Sequence, residues 1–249
     1  MSAGRPGYIV NPITGAFQFL GQYRKPNYKW SDNNRIVVPA SSTKPVYYVL
    51  GGQVYRVASS LYMNATTSGV GGLRSGVSLE ANKPYYLYAV KNGETVGIVG
   101  DVNDPDTGPQ GFTPWSYVGA FATATGSATI TAFQAVNGLY MANDEIENES
   151  NSAASRVSAT FESLPTTAII MLAQIAISGT QADASGLASG KDAGDDAILD
   201  HLQVTGVDTF NQGMIPIFTT QTIYITNGHA NNTTIIQMYG WREDPSEWV

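Results

Sequence analysis

The stretch from Pro84 to Phe133 constrains this chain most. It reads PYYLYAVKNGETVGIVGDVNDPDTGPQGFTPWSYVGAFATATGSATITAF. Tyr85, Tyr86 and Tyr88 crowd one run, and Lys91-Asn92-Gly93-Glu94 turns the chain back through Val96, Ile98 and Val99. A Pro/Gly/Asp loop leads to Trp115, Tyr117, Val118 and Phe121. Aromatic and β-branched residues fit a pleated, half-buried surface, and Asn-Gly supplies the backbone that tight reversals need. The stretch holds no nucleophile beside a base and no metal cage. It predicts a packed β-module whose work is done by its surface.

The rest of the chain extends this pattern. Strands are expected at 45–50, 53–58, 84–90, 96–99, 116–123 and 129–135, then at 166–177, 202–207, 214–219, 221–226 and 233–240. Loops are expected at Ser68–Gly76 and Gly179–Asp196, and a hairpin turn at Asn227–Asn232. Neither helical periodicity nor heptads nor solenoid repeats appear. The expected fold is all-β: two β-sandwich or jelly-roll-like modules preceded by an extended N-terminal arm. The expected divisions are an arm over 1–43, a first module over 44–141, an acidic linker with a short helix over 142–158, and a second module over 159–249. Pro6, Pro12, Pro26 and Pro39 interrupt the arm, which argues against long central strands there.

Charge is sparse and uneven. Charged residues make up only 13% of the 249, about half the usual share. Residues 1–141 carry ten Lys/Arg against six Asp/Glu, and residues 142–249 carry three against fourteen. The balances are +4 and −11, which together give the net −7 of the chain. Six basic residues stand in the first 44, with Asp32 the one acid among them. A basic, aromatic arm suits docking on an acidic surface. Its expected contact residues are Arg5, Tyr8, Phe17, Phe19, Arg24, Lys25, Lys29 and Trp30. Nucleic acid is not an expected partner, because basic residues are few and no recognition motif is present. The longest apolar run, Ala168–Ala173, is too short for a membrane span. With no apolar leader at the N-terminus, the expected place of synthesis is the cytoplasm.

Signs of chemistry are thin. There is no cysteine, which excludes disulfides and thiolate sites. The two histidines, His201 and His229, read as surface or turn residues: His201 follows Asp200 directly, and neighbours on a strand face opposite ways. The acids of GDVNDPDTG suggest a calcium loop, but the sixth and twelfth positions from Asp101 hold Asp106 and Phe112 rather than Gly and Glu. An irregular calcium site there, or at Asp192, Asp195, Asp196 and Asp200, stays open. Glu80, Glu94 and Glu162 show no pairing of the kind glycoside hydrolysis needs. The glycines near Gly69 fit neither a dinucleotide fingerprint nor a phosphate loop. The expectation is a non-enzyme without catalytic residues, cofactor or resident metal. Trp115, Tyr117 and Trp241 are the expected glycan or partner contacts.

The block KPYYLYAVKNGETVGIVGD…GPQGFTPWSYVGAFAT, with the later IIQMYGWRED, resembles virion structural proteins of tailed bacteriophages, of the tail-fibre or head-decorating kind. The shared blocks are the Tyr-rich strand and hairpin, the run from Gly111 to Phe121, and a closing strand at Tyr239-Gly240-Trp241-Arg242-Glu243. The resemblance implies a homo-oligomer, commonly a trimer, made in the host bacterium and assembled with other virion proteins. It brings no catalytic residues. The alternative from the residues alone is a carbohydrate- or receptor-binding module recognising host surface glycans.

Overall fold

The computed structural model describes residues 26–180, 185–190 and 210–243 in full, and the backbone of strands at Tyr8–Val10, Phe17–Phe19 and His201–Thr205. The fold is all-β, with strands and no helix among the described residues. Twenty-one strands occur in chain order among the described residues. The first eight are β1 (Tyr8–Val10), β2 (Phe17–Phe19), β3 (Tyr28–Asp32), β4 (Arg35–Val38), β5 (Val46–Leu50), β6 (Gln53–Val57), β7 (Leu61–Ser68) and β8 (Gly72–Leu73). Then come β9 (Pro84–Asn92), β10 (Thr95–Asp101), β11 (Trp115–Ala122), β12 (Phe133–Val136), β13 (Leu139–Ala142), β14 (Glu147–Asn151) and β15 (Arg156–Thr160). The last are β16 (Ala168–Gly179), β17 (Ser185–Ser189), β18 (His201–Thr205), β19 (Phe210–Pro216), β20 (Thr222–Asn227) and β21 (Asn232–Glu243).

One sheet runs β11-β9-β10-β8-β7-β4-β3-β12-β13-β21-β16-β19, with β14 added on β21. Its first part rolls over on itself. Tyr28 of β3 lies far from β11 in ladder order, yet its hydroxyl donates to the Ala120 carbonyl at 2.6 Å. Gly119 permits that approach: a Cβ there would stand 2.3 Å from the Tyr28 oxygen, and its φ of 157° sits at a register shift in β11. The roll buries both faces of β9, β10 and β11, which explains their unbroken apolar character. The β5–β6 hairpin lays Tyr48, Leu50 and Val57 on this body.

The second part is a sandwich. β16 and β21, twelve residues each, pair along their length and alternate buried with half-buried positions. Their inner face (Ile175, Ile177, Ile236, Met238) meets Ile223, Ile225 and Ala188 of a second sheet, β15-β20-β17-β18. The layers touch at Gly186, where a Cβ would come within 2.8 Å of Thr234 and 3.1 Å of Ile177. Small residues therefore make a strand of Ser185–Ser189, within the span expected to be a loop.

Two other expectations change. The segment read as an arm over 1–43 includes β3 and β4, whose Tyr28, Ile36 and Val38 are core residues. The segment read as an acidic linker with a helix, 142–158, instead contributes β14 and part of β15. Glu147 turns inward from β14, and its carboxylate accepts the amides of Glu162 (3.0 Å) and Ser163 (2.8 Å), closing the loop over which Phe161 and Leu164 are buried. Tertiary demand overrides the poor strand propensity of ENESN.

An aromatic stack joins the two parts. Tyr140 and Trp241 are directly opposed on β13 and β21, with centroids 3.8 Å apart and planes at 7°. Phe133 stacks on Tyr140 at 4.4 Å, and Tyr28 meets Phe133 edge-on at 5.6 Å. All four are buried. Aromatic pairs add about 0.5–1.5 kcal/mol each beyond their burial. Trp241→Ala is therefore expected to cost about 3–5 kcal/mol, read as a fall in the urea midpoint with the folded far-ultraviolet spectrum kept. A loss below about 1 kcal/mol would mean that the stack is not structural.

Candidate functional site

The expected contact residues separate into distinct places. The side chains of Arg5, Tyr8, Phe17, Phe19, Arg24 and Lys25 lie outside the described residues, although Tyr8 and Phe19 face each other in the β1–β2 ladder. Lys29 is exposed on β3, and Trp30 is half-buried against the core. Trp115 is half-buried beneath the 102–114 loop and sits edge-on to Tyr88 at 5.2 Å. Gly108 leaves room for its ring, since a Cβ there would lie 2.5 Å from the indole. Tyr117 and Trp241, expected at a contact surface, are core residues at 5% and 0% exposure. Their strands face the roll's interior, so the rings cannot reach a ligand without opening the sheet.

Polar groups that looked chemical in the sequence are structural where the structure describes them. Arg74 donates to Asp101 Oδ2 at 2.6 Å, and Asp101 Oδ1 accepts the amides of Val102 and Asn103. The carboxylate is thus committed to a buried bridge and a turn. Asp104 accepts the Thr107 amide, and His229 Nδ1 accepts the amide of Asn231. Among the described residues, no three acidic or imidazole side chains converge as metal ligands. Asp192, Asp195, Asp196 and Asp200 lie outside them.

A buried polar knot ties the roll to the end of β21. Tyr117 donates to Glu243 Oε1, as does Thr167 at 3.0 Å, and Tyr86 shares a 2.9 Å hydrogen bond with Thr166. Burial, then the Glu243 charge, pushes the Tyr28 and Tyr117 hydroxyls well above their ordinary range. Burial likewise raises the Glu147 carboxyl against the opposing pull of its two amide donors.

Two surface features could engage another molecule. A cleft of about 360 Å³ is lined by Asn34, Thr66, Thr67, Ser68 and Ser78, with Val77 and Leu79 beside them. It is rich in hydroxyls and has no charged wall residue. The other is the outer face of the long sheet. Strand register there aligns Tyr62, Val37, Lys29, Gln134, Met141, Gly240, Leu172 and Met214 in one row. Tyr62 (51%), Met141 (42%) and Met214 (62%) stand exposed in it. A parallel row is an amide ladder: Gln212 donates to Gln174 (2.9 Å), Gln174 to Gln237 (3.0 Å), and Gln237 to Glu145. Phe210 stands beyond it at 66% exposure. The hairpin adds Tyr47, Val49 and Val54 on its own outer side. Scattered exposed apolar residues are ordinary, but rows aligned on a sheet face suit contact with another surface.

The sequence reading missed Phe210, Met214 and the glutamines. The available signal was period-two alternation through FNQGMIP and AIIMLAQIAIS, with apolar residues at both parities. Comparisons with family models, with curated proteins and with solved structures each find no match.

The tyrosine knot predicts alkaline behaviour. The folded-state pKa values of Tyr28 and Tyr117 lie above the ordinary 10.0, so above that pH only the unfolded chain releases these protons. Stability is fully present below that value and falls as pH rises beyond it. Tyrosinate absorbance from the buried set is expected to appear only together with loss of circular dichroism. Full ionisation at the ordinary value with folded spectra intact would contradict it.

Proposed function

We propose that this chain is a structural component of a tailed-bacteriophage particle, made in the host bacterium. It joins the particle and its own copies through β-surfaces and its basic N-terminal segment. It acts by adhesion, without turning over a substrate. The observation that carries the reading is the set of large apolar side chains aligned on the outer sheet face: Tyr62, Met141 and Met214 with Phe210 beside them. Such rows are what subunit contacts bury, with polar groups at the rim. The resemblance of the Tyr-rich block and the uneven charge along the chain point the same way. Exposed Lys29 and Arg35 continue the basic character of the N-terminal segment on the body.

Tail fibre and capsid decoration are the two roles within this reading. Antibody labelling of purified particles in negative stain tests both. Label at the tail tip gives the fibre role, and label over the head gives decoration. Particles that contain the chain nowhere would overturn the proposal.

The hydroxyl-lined cleft favours a second reading, recognition of host surface glycans. Neutral donors and acceptors beside a few apolar side chains suit a sugar's mix of hydroxyls and C–H faces. A glycan array would show binding that Asn34→Ala and Thr66→Ala each weaken about tenfold. Silence across bacterial surface sugars would remove this reading and leave the structural role standing.

A further inference from the structure

The outer face of the sandwiched part has an apolar centre and an acidic margin. Register puts Gly240, Leu172 and Met214 of β21, β16 and β19 in one row, and Met214 is 62% exposed. Tyr239 stands beside that row, and with Leu172 and Gln212 it lines a hollow of about 160 Å³. Glu145 lies to one side, where its carboxylate accepts the Gln237 amide. Burial, then the charges of Glu145 and Asp144, pushes the Tyr239 hydroxyl above its ordinary range, which puts both acids near that ring. Asp144 is exposed, and among the described residues neither acid is in an ion pair.

The N-terminal segment has the matching pattern. The β1–β2 register sets Tyr8 against Phe19 and Val10 against Phe17, so these four positions share one face of a two-stranded hairpin. A lone two-stranded hairpin is marginal in water and is stabilised by laying such a face on another surface. Residues 1–25 hold Arg5, Arg24 and Lys25 and no acid. Arg5 precedes the Tyr8 end of the ladder, so a cation stands at one end of an apolar face. The sheet offers the complement, acids at one margin of an apolar face.

We propose that the β1–β2 hairpin of one copy docks on this face of a second copy, with its aromatic positions over Tyr239, Leu172 and Met214 and with Arg5 paired to Asp144 and Glu145. An apolar centre with charge pairs at the rim is the ordinary anatomy of a protein contact.

Topology directs the hairpin to a second copy. β3 and β13 both pair antiparallel with β12, and so run the same way. Pro26 and Asn27 therefore lead from β3 away from the chain's own Asp144. β12 and β13 also stand between β3 and β21. Across those strands and along them, Pro26 and Tyr239 are about 20 Å apart. The connecting residues 20–25 span about 20 Å only when fully drawn out. The same face on a neighbouring copy carries no such restriction. The contact joins two different surfaces, so copies meet head to tail and close into a ring where the rotation allows. A ring accommodates the three chains that the resemblance implies.

This inference rests on the homo-oligomer part of the proposed function and names its contact. A chain that associates in this way yet is missing from particles sinks the virion role alone. A chain found in particles but monomeric when purified sinks this inference alone.

The experiment is sedimentation equilibrium of the full chain at micromolar concentration. The wild type is expected to self-associate. Arg5→Glu and Asp144→Lys are each expected to weaken association about tenfold, since each sets like charges together. Glu94→Lys, in the exposed turn between β9 and β10, is expected to change nothing. A second measurement leaves those charges in place. The chain has no cysteine, so Gly4→Cys in one preparation and Asn143→Cys in another introduce one thiol each. Mixed under a mild oxidant, the two are expected to form a heterodisulfide faster than either forms a homodisulfide, and only separate copies can make that bond. A monomer at all concentrations overturns the proposal. So does association unmoved by both charge reversals, association weakened as much by Glu94→Lys, or a mixture in which the heterodisulfide is not favoured.

Discussion

The stack of Tyr140 on Trp241, with Phe133 and Tyr28 beyond, is the contact on which the architecture depends. It lies where β12 and β13 hand the rolled part of the sheet over to β21. The rings cross four strands and are buried, so they fix which face of each strand points inward. A slip of one residue at β13 would turn Tyr140 outward and break the row. Glu243, two residues past Trp241, then meets Tyr117 and Thr167, and the end of β21 is locked into the roll. Ring stacking sets the register, and the polar knot pins the strand end.

With that register set, the outer face follows without further choice. Each inward aromatic on β13 and β21 forces its neighbour outward, which is how Met141 and Gly240 come to share a row with Leu172 and Met214. The same alternation places Gln237, Gln174 and Gln212 in line. An inner face specified by packing and an outer face specified by contact with something else would both be written in one strand. That accounts for runs such as AIIMLAQIAIS, which are apolar at both parities.

Much of the fold was legible in the residues. The Tyr-rich hairpin β9–β10, the long strands β16 and β21, and the Asn-rich turn before β21 stand close to where alternation and turn chemistry put them. Three of the missed elements share one cause: their residues are poor strand formers recruited by tertiary partners. β14 is ENESN, held by pairing with β21 and by the inward Glu147. β17 is SGLAS, admitted because Gly186 lets it approach Thr234. β7 ends in NATTS, where the Asn64 side chain accepts the Thr66 amide and the Thr67 hydroxyl donates to the Gly71 carbonyl of the following loop. The site was less legible. Trp241 and Tyr117 looked like surface aromatics, because burial across a rolled sheet comes from partners distant in sequence. Phe210 and Met214 looked ordinary, because exposure on a sheet face is a property of topology and not of any one strand.

The central claim is that stacking across β12, β13 and β21 makes the rolled and sandwiched parts one cooperative unit. Equilibrium unfolding in urea, followed at once by tryptophan fluorescence and by residue-resolved hydrogen exchange, tests it most directly. Coincident transitions for amides of β9–β11 and of β16, β20 and β21, with a single midpoint, are the predicted result. Two separated transitions, with one part losing protection while the other keeps it, would contradict the claim.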